Sequence, residues 1–247
     1  MREPRLYFTP SGGEESIMVS DLEDRINALA RWMLESEHLV VFTGAGISTE
    51  SGLPDFRGPD GVWTRRDKGL STEWPDLTRA EPNSAHTAIH ELQEMGKLSF
   101  LISQNIDNLH LKSGIRPELL AELHGNVARL RCKRCGSEVD SPAGTDRCSC
   151  GGKLVSSVVN FGQSLPPKAL ADSYRHSEMS DVFVVLGSSL VVTPAADMPV
   201  VAYEAGARLA IVNQGETPLD DIAHLRFDER VGEVMPLAVV RMRQLMG

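Results

Sequence analysis

The residues with the most chemistry to offer lie between Gly44 and Gly58, in the string Gly44-Ala-Gly-Ile-Ser-Thr-Glu-Ser-Gly-Leu-Pro-Asp-Phe-Arg-Gly58. Gly44, Ala45 and Gly46 follow the β-type run Leu39–Phe42, where a parallel sheet presents a loop to a phosphate. Such small residues let the backbone approach a ligand, and its N–H groups can then cradle an anion. A G-x-G-x-x-G fingerprint would need a third glycine where Thr49 stands; the next glycine is Gly52. No acidic residue ends a second strand about twenty residues on, so an ordinary hydride-transfer Rossmann domain fits poorly. Asp55, Phe56 and Arg57 add an acid, an aromatic plate and a guanidinium fork, able to hold a flat ring and a phosphate or ribose. In the competing reading, Asp55 and Arg57 only pair with their neighbours.

The four cysteines of the chain fall in the pattern Cys132-x2-Cys135-x12-Cys148-x1-Cys150, with Lys133, Arg134, Gly136 and Gly151 around them. In a reducing compartment this is a zinc-ribbon signature, and four thiolates leave no open coordination position, so the metal would be structural. Two disulfides are the alternative, which an oxidising compartment would favour. His86 and His90 have the four-residue spacing of a metal pair. The zinc-protease pattern wants Glu after the first histidine, and Thr87 stands there, which favours structural histidines.

Other polar residues follow buried-strand patterns. Gln104-Asn-Ile-Asp-Asn-Leu-His110 sits just past the apolar run Leu98–Ser103, where open parallel sheets bind ligands. Asn105 offers an amide that matches a carboxamide, and Asp107 a carboxylate acceptor; a capped helix start is the other use of either residue. Gly187-Ser188-Ser189 ends Val182–Leu186, and Asn213 ends the run that begins at Arg208. Both suit ribose or phosphate contacts, or ordinary turn and cap chemistry. Beside Gly125, His124 is by itself a weak signal.

From about Ser20 to the C-terminus, these motifs together resemble the sirtuins, the NAD-dependent protein deacylases. The resemblance implies that Gly44, Ala45, Gly46, Thr49, Asp55, Phe56 and Arg57 form the NAD loop. It assigns Gln104, Asn105, Ile106 and Asp107 to the ribose and nicotinamide pocket, and Gly187, Ser188, Ser189, Asn213 and Val231 to the adenosine half. His124 matches the family's catalytic histidine, an imidazole able to deprotonate a ribose hydroxyl near neutral pH, with Asn105 and Asp107 also in the catalytic set. Val158, Val159, Asn160, Phe161 and Gly162 match the acyl-lysine tunnel, where the peptide adds as a strand. Gln163 departs from the acidic residue common after that Phe-Gly turn and touches only the preference for flanking residues. The implied co-substrate is NAD, the implied partner an acyl-lysine protein or peptide. Mono-ADP-ribosyl transfer and a silent NAD- or acyl-lysine-binding module are the alternatives.

The elements that must position these residues define an α/β fold, a doubly wound Rossmann-like parallel sheet with a smaller zinc-ribbon module. A capping box at Ser20-Asp-Leu-Glu23 opens the first helix and Pro82-Asn83 another; Thr64 to Glu81 is read as a short irregular segment, and Val155–Pro166 as a return to the sheet. The expected division is a loose arm at 1–19, an NAD-binding part at 20–59, 83–128 and 155–247, and a small module at 60–82 and 129–154. No apolar run approaches about 18 residues, so no membrane span is expected. The lack of an apolar secretory core at the N-terminus suggests a cytoplasmic protein. A formal charge of −9 argues against a general nucleic-acid grip and says nothing of oligomeric state. Between Thr64 and Glu81, Arg65, Arg66 and Arg79 lack the tyrosine partner that accompanies succinyl preference in the family, and Trp74 is present instead. Activity on acetyl-lysine and longer uncharged acyl-lysines is therefore expected.

Overall fold

The structure, a computed structural model, describes residues 21–58, 61–70, 76–140 and 146–247. The arm at 1–19, Ser20 of the capping box and Trp74 lie outside the described residues. Helix α1 (Leu22–Glu35) begins after Asp21 and turns Ile26, Leu29, Ala30 and Met33 inward at helical spacing. Asp21 makes no side-chain cap bond, but Glu23 and Asp24 place negative charge at the positive end of the helix. The chain then runs through β1 (Leu39–Thr43), a 3-10 helix at Ala45–Ser51 and α2 (Val62–Asp67) to α3 (Ser84–Glu94). Asn83 caps α3 by accepting from the N–H groups of Ala85 and His86. Next come β2 (Leu98–Ser103), α4 (Leu109–Lys112), β3 (Leu120–Glu122), β4 (Arg129–Cys132), β5 (Glu138–Asp140) and β6 (Leu154–Ser156). The C-terminal part holds α5 (Pro167–Met179), β7 (Val182–Leu186), α6 (Met198–Glu204), β8 (Arg208–Val212), β9 (Leu225–Phe227) and α7 (Val231–Met246). Helix α2 reaches into the segment expected to be irregular, and the glycine loop winds into a 3-10 helix.

Six parallel strands form one sheet in the order β3-β2-β1-β7-β8-β9. The chain winds outward from β1 to β3, returns to the middle at β7, and winds outward the other way. The order therefore reverses between β1 and β7, the point at which an open parallel sheet offers a crevice at its strand ends. Both faces of the sheet are covered, which is why its central strands β1 and β7 read as nearly continuous apolar runs. Leu39 and Val41 pack into a cluster with residues of α1, α3 and α7, while Val40 and Phe42 pack into the opposite cluster with α5 and α6. Among the described residues no helix is long and apolar enough to cross a membrane.

A second sheet has three antiparallel strands in the order β5-β4-β6, with Leu130 opposite both Val139 and Ser156. Val155 and Ser156, expected to rejoin the large sheet, instead pair with β4. The antiparallel pairing of Cys132 with Leu154 joins the two cysteine-bearing ends, and that closure outweighs the apolar pattern alone. Beyond β6 the chain makes isolated bonds rather than a strand: Ser157 N–H to the Arg129 carbonyl at 3.2 Å and Val159 N–H to the His124 carbonyl at 2.9 Å.

Leu101 is fully buried in the middle of β2. Leu101→Ala is expected to destabilise the fold by about 2 to 5 kcal/mol through lost burial and a residual cavity. Urea titration should show a lower midpoint with an unchanged slope.

Candidate active site

The crevice starts from a backbone contact. Gly44 N–H donates to the Leu186 carbonyl at 3.0 Å, and Gly46 N–H to the Gly187 carbonyl at 2.8 Å. A Cβ on Gly44 would stand 2.8 Å from the Gly187 oxygen. Gly187 has φ +64, and a Cβ there would lie 2.4 Å from the Ile47 nitrogen. These glycines are required first by loop-on-loop packing, which also leaves the bare backbone turn that a phosphate needs.

Beside this contact, Ser48 Oγ donates to Asp107 Oδ2 at 2.6 Å and accepts from Asn105 Nδ2 at 3.2 Å. All three residues are buried. Asp107 Oδ1 also accepts from Leu109 N–H at 3.0 Å, so the cap role and the pocket position coexist in one side chain. Asn105 N–H donates to Ser103 Oγ at 3.1 Å, and Ser103 is bonded to Thr43 Oγ1 at 3.0 Å. Thr43 Oγ1 in turn meets His110 Nε2 at 2.9 Å, and the His110 ring lies 5.0 Å from that of His86. Burial pushes the His86 pKa down to about 4, opposed by the Asp107 carboxylate, and holds His110 well below the usual imidazole range. Both are therefore neutral, structural imidazoles. His90 turns instead to Glu94 at 3.7 Å and makes no metal pair with His86.

His124 leaves β3 at the next strand end. Its Nδ1 lies 2.8 Å from the Gln104 carbonyl, which can only accept, so Nδ1 carries the proton and Nε2 keeps its lone pair when the ring is neutral. Burial lowers the His124 pKa, with the Gln104 bond opposing, so the base form prevails at neutral pH. Gln104 Nε2 donates to Ser188 Oγ at 2.8 Å, linking the loops of β2 and β7. Gly125 has φ +76 and no room for a Cβ, which would fall 2.1 Å from the Ser157 oxygen. Asn126 is buried and donates from Nδ2 to Asn108 Oδ1 at 2.8 Å and Glu122 Oε1 at 2.6 Å, tying this turn to the β2 loop. Burial pushes the Glu122 carboxyl up to about 7.

On the open side, Phe56 stands 5.3 Å from Trp63, and Trp63 5.4 Å from Phe161, ring centre to ring centre. The Arg57 guanidinium lies over Trp63 at 4.6 Å. Asp55 Oδ1 accepts from Gly58 N–H at 2.9 Å and so closes its own turn. Phe161 is 78% exposed, at the edge of a turn in which Asn160 N–H donates to Gln163 Oε1 at 2.9 Å. Val158 and Val159 are half-buried behind it, and Gly162 has φ +80. Thr49 Oγ1 donates to the Gly46 carbonyl at 2.9 Å, and the Ile106 carbonyl accepts from Val127 N–H at 2.9 Å. Asn213 Nδ2 donates to the Gly215 carbonyl at 3.1 Å, while Val231, the first residue of α7, is packed into the core with α1 and α3. The glycine loop, Asn105, Asp107, Gln104, His124 and Ser188 are thus joined by bonds or shared neighbours, whereas Val231 turns inward. Ser48 and Trp63 are central yet carry no signal in sequence beyond their neighbours Gly46 and Gly61.

Apart from the crevice, the Sγ atoms of Cys132, Cys135, Cys148 and Cys150 all lie within 4.8 Å of one another. Cys132 and Cys150 are 3.5 Å apart and Cys135 and Cys148 3.8 Å apart, far from the about 2.05 Å of a disulfide. Zinc–thiolate bonds of about 2.3 Å place tetrahedral sulfurs at about this separation. Arg134 N–H points to Cys132 Sγ at 3.4 Å, and a Cβ on Gly152 would lie 2.5 Å from that sulfur. The donor set fits a closed, structural zinc.

A sequence profile of the Sir2 family matches residues 44–74 and 68–194. NAD-dependent protein deacylase 2 of Archaeoglobus fulgidus is 40% identical over 251 residues, covering 91% of this chain and 98% of its own. NAD-dependent protein deacetylase SRT1 of Oryza sativa subsp. indica is 42% identical over 228 residues, covering 87% of this chain and 47% of its own. The chain thus spans about half the length of that plant relative. Among solved structures, a Sir2 homolog–NAD complex superposes with TM-score 0.74 at 35% identity, covering 89% of this chain and 94% of the other. A complex of Sir2 with p53 peptide and NAD+ gives TM-score 0.69 at 35% identity, covering 89% and 96%.

Two outcomes are expected. His86 and His110 have native pKa values below the unfolded 6.5, so above that pH neither state binds the proton. As pH falls from 6.5 toward 4 the unfolded chain protonates first, and stability should drop through that window. His86→Gln should flatten this acid loss in melts between those pH values; an unchanged slope would count against it. Cys148→Ala should abolish stoichiometric zinc in elemental analysis and lower thermal stability, since metal binding there is folding free energy.

Proposed function

The chain belongs to the Sir2 family, and from that premise we propose that it removes acyl groups, acetyl foremost, from protein lysines at the expense of NAD. The carrying observation is the buried Asn105–Ser48–Asp107 group beside a glycine turn, with a neutral imidazole at the neighbouring strand end. NAD suits this crevice because the Gly44–Gly46 turn carries only the Ala45 methyl, leaving its backbone close to a phosphate, and Asn105 and Asp107 match a carboxamide by donor and acceptor. Relatives solved with NAD and with a p53 peptide give precedent for both ligands.

In this reading Asn105, Ile106 and Asp107 hold the nicotinamide, with Phe56 above it. Departure of nicotinamide leaves positive charge at the anomeric carbon, which the acyl oxygen of the lysine captures. His124 Nε2 then takes a proton from a ribose hydroxyl, and that oxygen attacks the acyl carbon; water releases the lysine and leaves the acyl group on ADP-ribose. The Nδ1–H bond to Gln104 selects the tautomer with Nε2 available. Gly187, Ser188, Ser189 and Asn213 would take the adenosine half, and Val231 would act there only as support. Val158–Gly162 would bind the acyl-lysine segment between the large sheet and a small module made of 60–82 and of the ribbon that runs from 129 to the end of β6 at Ser156. The cysteines are committed to zinc and serve no chemical step.

Mass spectrometry of a reaction with NAD and an acetyl-lysine peptide tests this: acyl-ADP-ribose supports it. ADP-ribosylated protein would favour transfer to another acceptor, and no nicotinamide release a silent binding module. A second outcome concerns the acyl group. Arg66 is paired with Asp67 at 3.3 Å and Arg79 with Asp76 at 3.2 Å, while Trp63 and Phe161 offer apolar walls. Each buried methylene contributes about 0.8 kcal/mol, so butyryl and myristoyl peptides should be accepted and succinyl disfavoured. Comparison of kcat/KM across acetyl, butyryl, myristoyl and succinyl forms of one peptide checks this, and a succinyl value at or above acetyl would refute it.

A further inference from the structure

Arg226 occupies the middle of β9, between Leu225 and Phe227, which pack into the core against α1, α3 and α7. Strand alternation sends the Arg226 side chain to the other face, where it is 2% exposed. Four of its five N–H groups donate hydrogen bonds, and the fifth faces a carboxylate. Nε donates to Asp220 Oδ1 at 2.9 Å, and Nη1 to the carbonyls of Asn213, at 2.8 Å, and Phe227. Nη2 donates to the Gly215 carbonyl and lies 3.2 Å from Asp228 Oδ1. Thr217 Oγ1 donates to the same Asp220 oxygen at 2.6 Å. A lysine ammonium, compact and with three donors, cannot serve this planar set.

Two of these acceptors belong to the loop leaving β8. In a trans peptide the carbonyl and the following N–H point in opposite directions. Drawing the Asn213 carbonyl to the buried guanidinium therefore turns the N–H of exposed Gln214 away from it, out of the core. The Asn213 side chain braces the same loop by donating to the carbonyls of Gln214, at 3.3 Å, and Gly215, at 3.1 Å. We propose that Arg226 is a positioning residue for the adenosine end of the dinucleotide, preforming the Asn213–Gly215 loop so that its outward side meets the ligand. This inference rests on the NAD-binding reading above.

The test is calorimetric binding of ADP-ribose together with steady-state kinetics. Arg226→Met combined with Asp220→Asn removes both buried charges at similar volume, and Arg226→Lys keeps the charge without the fork. In variants with a cooperative thermal transition, the Kd for ADP-ribose and the KM for NAD should rise about tenfold or more. The peptide KM and the kcat at saturating NAD should stay near those of the parent. An unchanged Kd in either folded variant, or a parallel loss of kcat and of both substrates' affinity, would overturn the assignment. Failure of the parent protein to bind ADP-ribose would instead sink the NAD reading itself, and that result needs no variant.

Discussion

The molecule depends on one close approach, the loop after β1 lying backbone against backbone on the loop after β7. With Gly46 N–H bonded to the Gly187 carbonyl at 2.8 Å, side chains at Gly44, Gly46 or Gly187 would drive the two strand ends apart. The contact sits where strand order reverses, so it closes the floor of the crevice and sets how far apart the remaining strand-end loops can stand. Ser48 is delivered to Asp107 by the 3-10 helix that this contact launches.

Beneath that floor lies a polar layer inside an otherwise apolar core. Thr43, Ser103 and His110 pass hydrogen bonds from strand to strand until they reach the Asn105 backbone. Asn83 pins the 3-10 helix from the other side through the Ile47 carbonyl and Ser51. Thr43, Ser103 and the Asn105 N–H are tolerated in low dielectric because they partner one another, and those shared bonds stiffen the layer, although His110 Nδ1 is buried without a partner among the described residues. In the proposed reaction that stiffness would hold the nicotinamide ring out of its relaxed geometry. The zinc site works at a distance by the same logic: four thiols fold a ribbon too small to build a core of its own.

Much of this was legible in the sequence for simple reasons. Leu39–Phe42 and Val182–Leu186 are buried on both faces, so each is an unbroken apolar run followed by polar residues, and Leu98–Ser103 is broken only by Ser99. The cysteines declare themselves by spacing, because ribbon turns admit few separations between ligands. What stayed hidden depends on partners distant in the chain. Leu154–Ser156 looks like any short strand, and only pairing with Cys132 and its neighbours places it in the small sheet. Ser48 is one hydroxyl among several until β2 brings Asn105 and Asp107 to it. Arg226 interrupts a three-residue strand, and nothing local reveals that three carbonyls converge on it.

The central proposal is that nicotinamide departure and proton abstraction belong to different parts of this crevice, Asn105 and Asp107 serving the first and His124 the second. Exchange of labelled nicotinamide into NAD, measured beside deacylation in His124→Ala, separates them. Exchange with an acetyl-lysine peptide present should persist within about an order of magnitude of the parent, while deacylation falls by about 10² to 10⁴. Equal loss of both activities, or deacylation close to the parent rate, would contradict the assignment.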